Sequence, residues 1–527
     1  VLEKLLVTKK QLMMKKWLVA SLLCITVFAN AQKESAAVKY AAVITPQSMK
    51  DKLTILAGAE MEGRETGMPG ERRAAAFIEN HFRNIGLKPG NGISYHQYFN
   101  VYQDELASIQ LKVNGKLFDF DKAYMMSLQS ISNGKNSSNE LIFVGYGIVD
   151  KSAAIDDYAG LDVKGKTVMI LDGAPAGYKA PAVVAGSRTP SPISGAAKAT
   201  SARNAGATGV VLVSKDFPRK TATPVKGNIY MNKPTGAPFM MVTVSEEIAA
   251  ALAGRTTNLS SDALAALTKG KYVAELSIAA DKKSTTLQTS NVIGIIEGTD
   301  KKDEYVFMTG HHDHLGKRGD VIYYGADDDG SGTVGVMQMA EAFAAAAKKG
   351  NKPRRTLVFM TVTGEEKGLW GSQYYSDNPI FPLDKTTVDL NTDMIGRVDT
   401  ERKTGDTLNY IYVIGHDKLS SDLPIINEAA NKAHVNMTLD YKYDDPKDQN
   451  RIYYRSDHYN FARKGVPILF FYDGMLKAEY HQPGDTVEKI NFELMQKRAK
   501  LVFHTAWEMA NRDNMLKRDI PLTMPAR

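Results

Sequence analysis

Short apolar runs alternate with helical patterns over the last half of the chain. Residues 305–308 (Tyr-Val-Phe-Met), 356–362 (Thr-Leu-Val-Phe-Met-Thr-Val) and 466–471 (Val-Pro-Ile-Leu-Phe-Phe) have the length and composition of buried strands. Between the first two, residues 331–348 place Val334, Met337, Ala340, Glu341 and Phe343 at helical spacing. Strands alternating with helices predict an α/β fold, a mainly parallel mixed sheet with helices on both faces. In such sheets, sites form beyond the carboxyl ends of the strands.

The polar residues that follow these runs give the pattern a chemistry. Thr309-Gly310-His311-His312-Asp313-His314 follows the first strand and Thr363-Gly364-Glu365-Glu366 the second. Gly325-Ala326-Asp327-Asp328-Asp329-Gly330, Thr392-Asp393-Met394 and Tyr480-His481 complete the set. His311, Asp327, Glu366, Asp393 and His481 can hold two zinc ions, and Glu365 is left over as a base. Two Zn²⁺, three carboxylates and one hydroxide sum to zero charge, so no large charge is left to bury. An isolated loop histidine is commonly a solvated residue, the aspartate run alone could be a helix start, and Glu365-Glu366 alone could be a cap. The conjunction is what points to metal-assisted hydrolysis.

At these residues the chain resembles family twenty-eight of the metallopeptidases. That family holds secreted bacterial di-zinc aminopeptidases, glutamate carboxypeptidases and the catalytically inactive transferrin receptor. Upstream, Leu56, Met61-Glu62-Gly63-Arg64-Glu65-Thr66-Gly67, Gly70, Ala74-Ala75-Ala76-Phe77-Ile78 and Gly86-Leu87-Lys88-Pro89 look like its amino-terminal helix. The resemblance implies that His311 and Asp393 bind one zinc, Glu366 and His481 the other, and that Asp327 bridges both. It implies Glu365 as general base, Asp313 as the carboxylate orienting His311, and Tyr480 as a donor to the tetrahedral intermediate. It also implies a cis bond between Asp327 and Asp328. His312 and His314 are expected in structural or rim roles, and His458, in Ser456-Asp457-His458, receives none.

Length and texture divide the chain. At 527 residues it exceeds one ordinary core. Residues 140–148, 158–171 and 198–213 resemble the protease-associated domain inserted in this family. The expected organisation is a zinc peptidase domain at 32–114 and 276–527, interrupted by that insertion at 115–275. Residues 187–200, rich in Ser, Pro, Gly and Ala, read as a flexible loop.

Lys15-Lys16, the apolar stretch 17–28 and Ala29-Asn30-Ala31 read as a secretion signal, with the mature start at Gln32 and residues 1–12 an over-extended frame. The expected location is therefore periplasmic or secreted, with no stable membrane insertion after cleavage. The leader holds four of the seven net positive charges, and the rest has no basic run interleaved with aromatics, which argues against nucleic acid as a partner. The single cysteine, Cys24, lies in the leader, so thiol catalysis is excluded from the mature protein.

The expected activity is a secreted zinc exopeptidase on peptide substrates, with an aminopeptidase favoured. A carboxypeptidase or dipeptidase on the same metals remains open, because Arg397, Arg451 and Arg455 could clamp a terminal carboxylate. An inactive peptidase scaffold that only binds is the alternative from a different class. A glutaminyl cyclase, using one zinc on a related fold, is disfavoured by the five-ligand set.

Overall fold

A computed structural model describes residues 36–182, 190–236 and 238–523. The expected secretion signal lies outside the described residues. Among the described residues no helix is long and apolar enough to cross a membrane. The chain divides into two compact units, one formed by residues 1–99 with 288–527 and the other by 100–287. This division is wider than the expected insertion of 115–275 at both ends.

The sheet of the first unit has four parallel strands at its centre. Lys301–His311 lies between Arg355–Val362 and Thr386–Thr392, and Ile468–Tyr472 follows Thr386–Thr392. Tyr410–Ile414 and the end of Gly270–Ile296 flank this centre antiparallel, and Thr438–Asp440 adds an edge. Side chains alternate across the sheet as strand geometry requires. Val306, Met308, Leu357, Phe359, Leu390 and Leu469 join one core with Met337, Phe343 and Phe503. Phe307, Val358, Met360, Ile468 and Phe470 join the other with Tyr375 and Phe461. Burial on both faces explains why three of these four strands read as largely apolar runs.

The helices start and stop where local chemistry dictates. Pro46–Leu56 carries proline in its first turn, and the Thr45 hydroxyl accepts from Ser48 N. Pro69–Ile85 also begins on proline and ends at Gly86, whose φ of 85° suits only glycine well. What reads as one amino-terminal helix is thus two, separated by the turn Ala59–Arg64. Gly332–Lys348 packs so close to the sheet that a Cβ on Gly332 would lie 2.2 Å from the Thr392 carbonyl oxygen.

In the second unit, Gly134–Gly145, Thr167–Leu171, Gly209–Val213 and Met240–Val244 form a parallel run, with Tyr124–Met126 antiparallel at its edge. The helix Gly195–Asn204 begins at Ser194, whose hydroxyl accepts from Ala197 N. The flexible loop expected at 187–200 is corrected over its second half: the Ser cap starts a helix there. Residues 187–189 lie outside the described residues.

Candidate metal centre

The carboxyl ends of the central strands deliver the site. His311 closes its strand and is fully buried. Its Nε2 lies 3.3 Å from Asp328 Oδ1, 3.6 Å from Asp393 Oδ1 and 3.8 Å from Glu365 Oε2. On the far side, His481 Nε2 lies 3.1 Å from both Asp328 Oδ2 and Glu366 Oε2. Asp328 therefore stands between the two histidines, one oxygen toward each.

The expected bridging role of Asp327 is corrected by this geometry. Asp327 Oδ1 turns away to accept from Gly396 N at 2.8 Å and Ser331 Oγ at 3.0 Å. Burial and the neighbouring Asp473 and Asp485 push its pKa well above the usual carboxylate range. The cis peptide bond likewise joins Asp328 and Asp329, one residue later than expected. Three consecutive aspartates offered no way to choose the register from residue type alone.

Two further aspartates, Asp329 and Asp485, tie the surrounding segments together through backbone N–H groups. Asp329 accepts from the backbone N–H of His311 (3.0 Å), Gly332 (2.9 Å) and Met394 (3.0 Å), tying three segments together. Asp485 accepts from Asp327 N and Asp328 N and so aims the loop. The sequence reading missed it; its place four residues beyond His481 is the only signal it leaves. Asp313 lies 3.6 Å from His311 Nδ1, but its hydrogen bonds are from Thr66 Oγ1 (2.7 Å) and Glu365 N (3.2 Å).

Arg64 holds the loops beneath the centre together. It is fully buried and donates to four carbonyl oxygens, those of Leu56, His312, Tyr324 and Gly325, at 2.7–3.0 Å. Arg64→Leu should strip all four acceptors at once. An unpaired buried acceptor costs about 1–3 kcal/mol. Urea unfolding should therefore show a loss of at least ~3 kcal/mol; an unchanged midpoint would contradict this account.

Glu365 lines a small cleft of about 30 Å³ with Asp393, Arg455, Phe470 and Tyr480. Burial raises its pKa well above the usual carboxylate range, against the pull of His311 and with the help of Glu366 and Asp393. Arg455 Nη2 donates to Tyr480 Oη at 2.7 Å, and Tyr480 stacks on His481 with ring centroids 3.9 Å apart. His312 points away, to Glu71 and Thr361. His458 is a buried packing residue: its Nε2 donates to the Tyr453 carbonyl, its ring stacks on Phe470, and burial lowers its pKa to about 3.

The donor set fits divalent metal. His311 Nε2, Asp328 Oδ2 and Glu366 Oε1 are buried with no hydrogen-bond partner. Donors about 2.0–2.2 Å from a tetrahedral zinc lie roughly 3.3–3.6 Å from one another, close to the spacings above. Four clustered carboxylates, Asp328, Glu365, Glu366 and Asp393, also call for positive charge. A second acidic group, His416 with Asp417 and Asp444, already holds its cation, because Lys418 Nζ lies 2.5 Å from Asp417 Oδ1 and 3.6 Å from Asp444 Oδ1.

Residues 291–506 match the model of Peptidase family M28, and residues 137–252 match that of the PA domain. A probable leucine aminopeptidase of Trichophyton verrucosum (strain HKI 0517) is 29% identical over 225 residues, 42% of this chain and 57% of that protein. A probable zinc metalloprotease of Pyrenophora teres f. teres (strain 0-1) is 27% identical over 263 residues, 42% of this chain and 51% of that protein. The chain thus spans little more than half the length of these relatives. The structure of an aminopeptidase from Aneurinibacillus sp. strain AM-1 superposes with a TM-score of 0.52 at 22% identity, covering 93% of this chain and 100% of that one. This likeness shows the fold: a mixed, mostly parallel sheet with helices, joined to a PA domain.

Proposed function

We propose, from the premise that residues 291–506 belong to Peptidase family M28, that the protein is a two-zinc exopeptidase removing amino-terminal residues from peptides. The observation that carries this reading is the convergence of His311, Asp328, Glu366, Asp393 and His481 with unpartnered donor atoms. His311 and Asp393 would hold one ion, Glu366 and His481 the other, and Asp328 both. Zinc bound there supplies an acidified water and a Lewis acid for the peptide carbonyl.

The chain's own groups do the rest. Glu365 takes the proton of the attacking water and returns it to the leaving nitrogen. Asp313 fixes Glu365 through its backbone N–H. The Tyr480 hydroxyl accepts from Arg455, so its own proton is free to be donated to the carbonyl oxygen as that becomes an oxyanion. The carboxylates around the cleft favour an ammonium group, which supports attack at the amino end. The fungal relative's description as a leucine aminopeptidase supports the same choice.

Arg455 favours a second reading, since its guanidinium lines the cleft and could hold a terminal carboxylate. A panel of aminoacyl anilides and blocked dipeptides decides between them. Acetylating the substrate's amino group should abolish hydrolysis, amidating its carboxyl end should not, and a chelator should stop turnover until Zn²⁺ is restored. Cleavage of acetylated peptides with refusal of amidated ones would replace the aminopeptidase by a carboxypeptidase. Full activity of metal-free protein would remove the metallopeptidase reading altogether.

A further inference from the structure

One imidazole beside the centre has no role in the reaction described above. His314 is fully buried, and both its ring nitrogens lack a hydrogen-bond partner. Leaving two such atoms buried and unpaired costs about 1–3 kcal/mol each. Its Nδ1 lies 2.8 Å from Glu366 Oε1, which also has no hydrogen-bond partner. The two atoms are close, yet not aligned as donor and acceptor. Side-by-side approach of two electron-pair donors is what ligands of a common cation do.

The neighbours agree. Single ligand atoms of His314, Asp328 and Glu366 fall within 4.8 Å of one another. His481 reaches the same Asp328 and Glu366, with its ring centroid 5.9 Å from that of His314. Backbone holds the ring in place. His314 N donates to the Arg64 carbonyl at 3.1 Å. Gly325, at a φ of 55°, lies so close that a Cβ there would be 2.4 Å from the imidazole Cγ.

We infer that His314 is a third imidazole ligand of the bimetal centre, completing with Asp328, Glu366 and His481 a second zinc site closed by four protein groups. This rests on the zinc reading above and makes the two ions unequal. Four protein ligands are the signature of a closed, tightly held zinc, whereas the three groups at the first ion, His311, Asp393 and Asp328, leave a position for substrate. The ion at the second site should therefore be the one retained longer under chelation.

Zinc K-edge absorption of the wild-type protein loaded with two zinc ions tests this without a variant. Three imidazoles shared over two ions are expected; two would overturn the assignment of His314 and leave the metallopeptidase reading intact. Chelator competition on His314→Ala gives the second measurement, with circular dichroism as the check on folding. The variant should hold one ion where wild type holds two, a loss of affinity beyond the roughly 10–100-fold that removing an outer hydrogen-bonding partner costs. Retention of both ions within tenfold of wild type would overturn the proposal. Wild-type protein that binds no zinc at all would bring down the metallopeptidase reading with it.

Discussion

Asp328→Ala is expected to empty the centre of both ions and to abolish turnover, while Asp327→Ala keeps both. The carboxylate of Asp328 is the one group that faces His311 with one oxygen and His481 with the other. Removing it takes a ligand from each ion at once. Metal contributes several kcal/mol to such hydrolyses, so the loss of rate should be at least about 10³-fold. Asp327 instead accepts from Gly396 N and Ser331 Oγ. Its removal should cost stability, about 1–3 kcal/mol for the donors left unpaired, with zinc content unchanged. Elemental analysis of the two variants side by side decides the register. Zinc lost from Asp327→Ala and kept in Asp328→Ala would reverse it.

Glu365→Gln is the second large effect. The substitution preserves shape and hydrogen-bonding reach but removes the basic carboxylate. General acid–base catalysis is worth on the order of 10²–10⁴-fold, and kcat should fall by that much with KM little changed. Zinc content should stay at the wild-type level, because His311 Nε2 is nearer to Asp328 and Asp393 than to Glu365. Near-normal turnover would exclude Glu365 as the base. Parallel loss of zinc and activity would mean that Glu365 and Glu366 have exchanged roles.

The strands with two buried apolar faces were legible because their sequence is continuously hydrophobic. The strand Thr386–Thr392 was not, for it reads Thr-Thr-Val-Asp-Leu-Asn-Thr and is buried throughout. Most of its polar side chains find partners inside the fold: Thr309 Oγ1 lies 2.8 Å from Asp389 Oδ1 and 2.9 Å from Asn391 Oδ1, and Asn391 Nδ2 donates to Ser456. Composition cannot distinguish such a strand from a solvated loop. At the centre, residue types identified the segments that converge but not the register within Asp327-Asp328-Asp329. That choice depends on which carboxylate the backbone turns inward, and here Asp485 and Asp329 set it through backbone N–H groups. His314 was discounted for a related reason. A histidine three residues after a ligand reaches the same centre only if the chain doubles back, and no residue type announces that turn.

Arg64 imposes an order of events on the growing chain. Its acceptor carbonyl at His312 lies 248 residues further on, and those of Tyr324 and Gly325 lie 260 and 261 away. At roughly 5–20 residues per second, the first of these partners emerges about 12–50 s after the arginine itself. The unit formed by residues 100–287 is contiguous and has its full complement of strands before that moment. The early helices, by contrast, must wait with only one of the four Arg64 acceptors, the Leu56 carbonyl, already synthesised. Nascent chains stalled in this interval would be the form of the protein most in need of a chaperone.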